Sequence, residues 1–288
     1  MKPAAIALAV AIASATGVRA QDADLVKRGE YLARAGDCIA CHTAPGGKAM
    51  AGGLEIPTPI GAIVSTNITP SRTAGIGGYT FEQFVRALRE GVRADGARLY
   101  PAMPYTSYAL VTDDDARALY AYFMNGVAPV DTRPKATQLP FPFDIRISMT
   151  GWNLLFLHEG SFRADPGHDA PWNRGAYLVR GLGHCGTCHT PRNVLMAEKS
   201  AEELGGGAVG KWRAPNITAD ALSGIGGWSA EDLVSYLREG HVKEKSQAAG
   251  PMAEAVDNSL RFLSAEDLQA MASFLKATAP VRDVKVSR

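Results

Sequence analysis

The chain has 288 residues, 46% of them hydrophobic and 20% charged, and its 30 Lys and Arg against 29 Asp and Glu leave a formal net charge of +1. That balance offers neither the basic surface nucleic acid requires nor the cationic patch that draws a protein onto an anionic membrane. The length gives room for two globular domains of ordinary size.

In chain order, Lys2, the apolar run Ala4–Ala15 and the small-residue site Val18-Arg19-Ala20 read as an export signal over 1–20, cleaved after Ala20. The run is shorter than the ~20 residues that span a bilayer, and no later stretch reaches that length. Cleavage removes Lys2 and Arg19 but no acid, so the mature chain turns slightly acidic.

A helix with apolar positions Leu25, Tyr31 and Leu32 leads into Cys38-Ile39-Ala40-Cys41-His42. Two thiols three positions apart share one helical turn and each can add to a haem vinyl group, while the adjoining imidazole points a nitrogen at the iron. This is the attachment signature of c-type haem. The pentapeptide frame returns as Cys185-Gly186-Thr187-Cys188-His189, and together the two copies use all four cysteines. Cys38, Cys41, Cys185 and Cys188 are therefore the covalent attachment residues, and His42 and His189 the first axial ligands. Other chemistries fit less well. A zinc site prefers its Cys pairs about 15 to 20 residues apart, a thioredoxin-like dithiol needs no histidine, and disulfides leave the repeated frame unexplained.

The second helix of the first copy starts at Thr80-Phe81-Glu82-Gln83, a capping box, and stops at Gly91. A third starts after Thr112 with Asp113, Asp114 and Asp115 at the positive helix end and runs through Leu119, Tyr122 and Phe123. Val130–Pro171 is rich in proline and aromatics, and two readings apply to it: an extended connector packed across two domains, or a docking surface built on exposed aromatics.

Beyond it the whole unit repeats. Arg28-Gly29-Glu30-Tyr31-Leu32 matches Arg174-Gly175-Ala176-Tyr177-Leu178, Asn67-Ile68-Thr69 matches Asn216-Ile217-Thr218, and Gly75–Tyr79 matches Gly224–Trp228. Helices capped by Ser229 and Ser264 mirror those capped by Thr80 and Thr112, with Gly240 as the mate of Gly91. No strand-like alternation of useful length is found. The predicted fold is all-α: two tandem cytochrome c-like domains at 21–129 and 171–288, each wrapped around a covalently attached haem c, joined by a connector at 130–170.

Methionine opposite histidine closes the iron's coordination and raises its potential, as electron transfer requires. Met103, in Tyr100-Pro101-Ala102-Met103-Pro104, and Met252, in Gly250-Pro251-Met252, stand in the same relation as Asn67 and Asn216, which makes them the second axial ligands. Met50 and Met196 also recur, but so soon after their histidines that they stay on the proximal side. His158, His168, His184 and His241 have no histidine partner in the other copy and read as surface or satisfied residues. Tyr79, Trp228, Asn67 and Asn216 are matched polar residues, with haem propionate contacts and plain loop packing as equal alternatives.

The segments Gly36–Thr43, Thr66–Pro70, Gly75–Gly77, Leu99–Tyr105, Trp172–Leu178 and His184–Arg192 resemble the cytochrome c subunits of membrane-associated bacterial alcohol, gluconate and sorbitol dehydrogenases. The resemblance implies the axial pairs His42/Met103 and His189/Met252, and a partner dehydrogenase subunit as electron donor. Such subunits pass electrons on toward the respiratory chain, to an oxidase, a cytochrome or a quinone. Members usually carry a third haem unit and a membrane-binding tail. With the sequence reaching Arg288 just after the second unit, the expectation is a periplasmic two-haem relay that is not itself an enzyme and meets the membrane only through partners. The competing reading from another class is a dihaem peroxidase, which needs an openable iron.

Overall fold

A computed structural model describes residues 22–282. The export signal assigned to 1–20 lies outside the described residues.

Helix α1 covers 22–35 and breaks at Gly36-Asp37. Asp37 adopts a left-handed conformation with φ 47°, so the chain turns sharply into the single-turn helix α2 (Cys38–Cys41). A hairpin follows, β1 (Glu55–Thr58) paired antiparallel with β2 (Gly61–Val64), Glu55 opposite Val64. Helix α3 (Phe81–Glu90) begins in a complete capping box. Thr80 Oγ1 accepts from the Gln83 amide, the Gln83 side chain accepts from the Thr80 amide, and left-handed Gly91 ends the helix at φ 63°. The short helix α4 (Tyr105–Tyr108) precedes α5 (Asp113–Asn125), which Thr112 caps.

The connector contains α6 (Ser148–Phe156), a helix that the sequence reading of an extended segment does not anticipate. Its N-cap, Ile147, offers no side-chain oxygen, so the usual helix-start signal is missing. Next come α7 (Ala170–Ala176), capped by Asp169, a π-helical turn over Tyr177–Leu182, and α8 (Gly186–His189). In the first copy the matching stretch is continuous α-helix, so the repeats differ in backbone here. The hairpin β3 (Gly207–Val209) with β4 (Trp212–Ala214) parallels the first one. Helix α9 (Ala230–Glu239) repeats the capping box with Ser229 and Asp232 and ends at left-handed Gly240. A third hairpin pairs β5 (His241–Val242) with β6 (Ser246–Gln247). Helices α10 (Pro251–Asn258) and α11 (Ala265–Lys276) follow, the latter capped by Ser264.

Among the described residues the chain is thus helix-rich with three two-stranded hairpins, not purely α. Strands of two to four residues are too short to show period-two alternation, which is why the sequence hides them.

Two crossings hold the helices together. A side chain at Gly29 would begin 1.9 Å from the Ala118 carbonyl oxygen, and one at Gly175 would begin 2.0 Å from that of Ala270. The repeated Arg-Gly-x-Tyr-Leu segment therefore packs its glycine directly on the backbone of the third helix, α1 on α5 and α7 on α11. One continuous core follows, with Leu32, Leu119 and Phe123 from the first half and Leu178, Leu268 and Phe274 from the second.

Candidate haem-attachment sites

Each Cys pair sits at the start of a short helical turn with its histidine at the end, and all four cysteines are unpaired thiols. Burial pushes the Cys38 and Cys185 thiols up to about 12. A redox dithiol needs the opposite shift, toward the thiolate, so the environment does not favour disulfide exchange. Among the described residues no three His, Cys, Asp or Glu side chains converge as a metal-binding group, so the two pairs do not form a shared zinc-like cluster.

The histidines are oriented by a bond that sequence inspection misses. His42 Nδ1 lies 2.6 Å from the Thr66 carbonyl and His189 Nδ1 lies 2.7 Å from the Pro215 carbonyl, matched positions of the two repeats. An Nδ1–H donated to a carbonyl fixes the tautomer, stops the ring from turning and leaves Nε2 as the free lone pair, as metal-ligating histidine requires. Burial also lowers the pKa of both imidazoles, which keeps them neutral and able to ligate. The residues present thus fit a covalently held haem at each pair. The one available signal was Thr66-Asn67 against Pro215-Asn216, where the carbonyl acceptor is a backbone group whose side chain differs between copies.

Met103 and Met252 are partly buried against the core. Met103 lies in a tight turn, its amide donating to the Tyr100 carbonyl at 3.2 Å and its carbonyl accepting from the Tyr105 amide at 2.8 Å. Tyr105, fully buried, donates its hydroxyl to Asn153 of α6 at 2.8 Å, and the Asn153 amide donates to the Glu90 carbonyl at 3.0 Å. The connector thereby pins the Met103 turn from outside. Met252 sits in the first turn of α10, behind Pro251.

A family model described as Cytochrome c matches residues 26–126. The chain is 50% identical over 279 residues to the fructose dehydrogenase cytochrome subunit of Gluconobacter japonicus, covering 93% of this chain and 57% of that one. It is 47% identical over 268 residues to the gluconate 2-dehydrogenase cytochrome c subunit of Pantoea cypripedii, covering 90% and 60%. A diheme cytochrome c-type protein of Cereibacter sphaeroides is 40% identical over 261 residues, 86% of this chain and 84% of that one. The chain belongs to the cytochrome c family. It groups with proteins named as cytochrome subunits of fructose, gluconate and alcohol dehydrogenases, and it spans about three fifths of the length of those relatives.

In this cytochrome the asparagines have another job than the propionate contact considered above. Both Asn67 amide hydrogens go to the Val130 and Thr132 carbonyls, at 2.7 and 3.0 Å, and its oxygen accepts from the Thr69 amide and hydroxyl. Asn216 donates to the Val281 carbonyl at 2.6 Å and to Ser223 Oγ, and accepts from Thr218 in the same way. With donors and acceptors engaged, each asparagine pins a loop to the chain beyond its third helix. Tyr79 and Trp228 keep partly exposed rings, Trp228 edge-on to Tyr236.

The remaining polar residues also find places. Arg180 pairs with Glu203 at 2.8 Å, His168 stacks on Trp172, and His158 and His241 are exposed. His184 corresponds to Asp37 in the repeat, and both have positive φ. The connector is two-sided. Trp152 donates to the Leu195 carbonyl at 2.8 Å and Asn153 is buried, whereas Phe141 is 80% exposed and Leu154 83%. One face of it therefore packs against both repeats and the other lies open.

Proposed function

We propose that the protein is a dihaem electron-transfer subunit carrying two haem c groups in tandem cytochrome c domains, one at 21–129 and one at 171–288. The observation that carries this is the twofold recurrence of a Cys-x-x-Cys-His turn whose histidine Nδ1 is tied to a backbone carbonyl. Cys38 and Cys41 hold the first group, with His42 and Met103 as axial residues. Cys185 and Cys188 hold the second, with His189 and Met252. Haem iron supplies one-electron chemistry between ferric and ferrous states. The chain's own residues hold two ligands in place, exclude water, and in Tyr79 and Trp228 offer polar groups for the propionates. No bond-making step falls to them.

Its cytochrome-subunit relatives support a partner dehydrogenase as electron donor, oxidising an alcohol, sugar or aldehyde. The acceptor is a component of the respiratory chain, and the location is the periplasm, in keeping with the export signal read at 1–20. Intact-mass analysis of the exported product tests the reading: two covalent haem adducts are expected, and fewer than two would overturn it. The ferric optical spectrum should show only low-spin, six-coordinate iron. A high-spin centre with peroxide turnover would favour the peroxidase reading instead.

A further inference from the structure

The two Cys segments meet at one buried tyrosine. Tyr108 ends α4, five residues after Met103, and donates its hydroxyl to the Gly36 carbonyl at 2.8 Å, just ahead of Cys38. Its ring also meets His184, directly ahead of Cys185, edge to face with centroids 5.7 Å apart at 81°. The contact extends along the chain. Leu110 Cβ lies 3.5 Å from where a side chain at Gly181 would begin, and the Thr112 amide meets the Tyr177 hydroxyl at 3.4 Å. Residues 108, 110 and 112 thus face 184, 181 and 177 as one seam. The converse arrangement is also present: α10, which bears Met252, packs on α2, with Glu254 near enough to Asp37 to act on its charge.

We infer that His184 and Tyr108 are positioning residues for Met103, so that the attachment segment of the second site sets the axial geometry of the first. The inference rests on Met103 being the axial residue proposed above. The Met103 turn is closed by two local hydrogen bonds, which leave its direction to whatever holds the ends. Both supports act through the short helix α4 that follows Met103: Asn153 holds Tyr105 at its start, and Tyr108 at its end rests its ring on the other repeat. A methionine that must approach from one direction loses coordination when either support gives way. Since Tyr108 touches His184, a perturbation made at the second attachment segment is then read at the first iron.

The test is potentiometric and optical, on the matured dihaem protein. Met103→Ala and Met252→Ala assign each midpoint potential and each iron–methionine absorption band to its site. His184→Asn then removes the ring from Tyr108 while keeping a residue that tolerates positive φ. The expected result is partial loss of the first site's methionine band and a downward shift of its midpoint, from a substitution in the second repeat. A shift confined to the second site, or none, overturns the inference. Should His184→Asn fail to mature, Tyr108→Phe removes the hydroxyl's bond to the Gly36 carbonyl with the ring retained and should lower the first midpoint by a smaller step, no change again counting against it. If Met103→Ala leaves every band and midpoint unaltered, the axial assignment itself fails and this inference goes with it.

Discussion

The Tyr177 hydroxyl of the second repeat donates to Asp115 Oδ2 of the first at 2.6 Å, and its counterpart Tyr31 donates to Asp267 Oδ2 at 2.5 Å in the opposite direction. Each aspartate is also held by the arginine of its own repeat, Asp115 by Arg28 and Asp267 by Arg174 through two bonds of 2.7 Å. The halves are therefore locked by a reciprocal exchange of hydrogen bonds, the relation expected of a twofold interface between like surfaces.

The lock gives the protein an acid limit. Burial alone would raise the Asp267 carboxyl, but hydrogen bonds from Arg174 and Tyr31 outweigh it and hold the group below the usual range. A depressed carboxylate contributes stability that is present above the unfolded pKa, near 4, and is lost as pH falls through the folded value. Denaturation midpoints measured from pH 6 down to pH 2 should fall at the acid end, and Asp267→Asn should flatten that fall. An unchanged acid slope in the variant would show that the pair carries no linkage.

Asp37 acts with the opposite sign. Burial, helped by Glu254, pushes its carboxyl up to about 7, and one of its oxygens is buried without a partner. Ionising it in the folded chain is unfavourable, so its contribution is most favourable below the unfolded pKa and declines as pH rises from about 4 to about 7. Asp37→Asn keeps a residue suited to φ 47° and should raise the denaturation midpoint at pH 8 more than at pH 5. Equal shifts at both values would rule out titration as the cause.

Gly29 and Gly175 should tolerate no side chain. With backbone oxygens 1.9 and 2.0 Å from the position a Cβ would take, alanine forces the crossing helices apart. Gly29→Ala or Gly175→Ala is expected to cost about 3 kcal/mol, a drop of roughly 10 °C in Tm, measurable by calorimetry. Gly78 has open space around it, so Gly78→Ala serves as the neutral control.

Asn153→Leu strips the partner from the buried Tyr105 hydroxyl and from the Glu90 carbonyl. Leaving buried polar groups unpaired costs about 1 to 3 kcal/mol each. The loss should fall on the Met103 turn: chemical denaturation should show reduced stability, and the methionine band of the first site should weaken while that of the second is retained. Equal weakening of both bands would mean that the connector acts globally.

What the sequence made legible depended on local chemistry. The Cys-x-x-Cys-His frames, the segments that repeat and the helix caps are each a few consecutive residues long, and Thr80/Gln83, Ser229/Asp232, Gly91 and Gly240 behave in the structure as their residue types dictate. The hairpins and α6 were illegible for the converse reason. The strands are too short to carry a pattern, and α6 is stabilised by Asn153 and Trp152 contacts to distant segments, not by its own caps.

By itself, then, the sequence determined the two Cys-x-x-Cys-His frames and the repeat of their surroundings, because both are patterns of fixed spacing along the chain. Tertiary structure alone decided which carbonyls orient His42 and His189, that Asn67 and Asn216 serve as loop pins, and that Tyr108 meets His184. These pairs join residues 24 to 76 positions apart in the chain, a separation that no local sequence pattern carries and that only the tertiary packing closes.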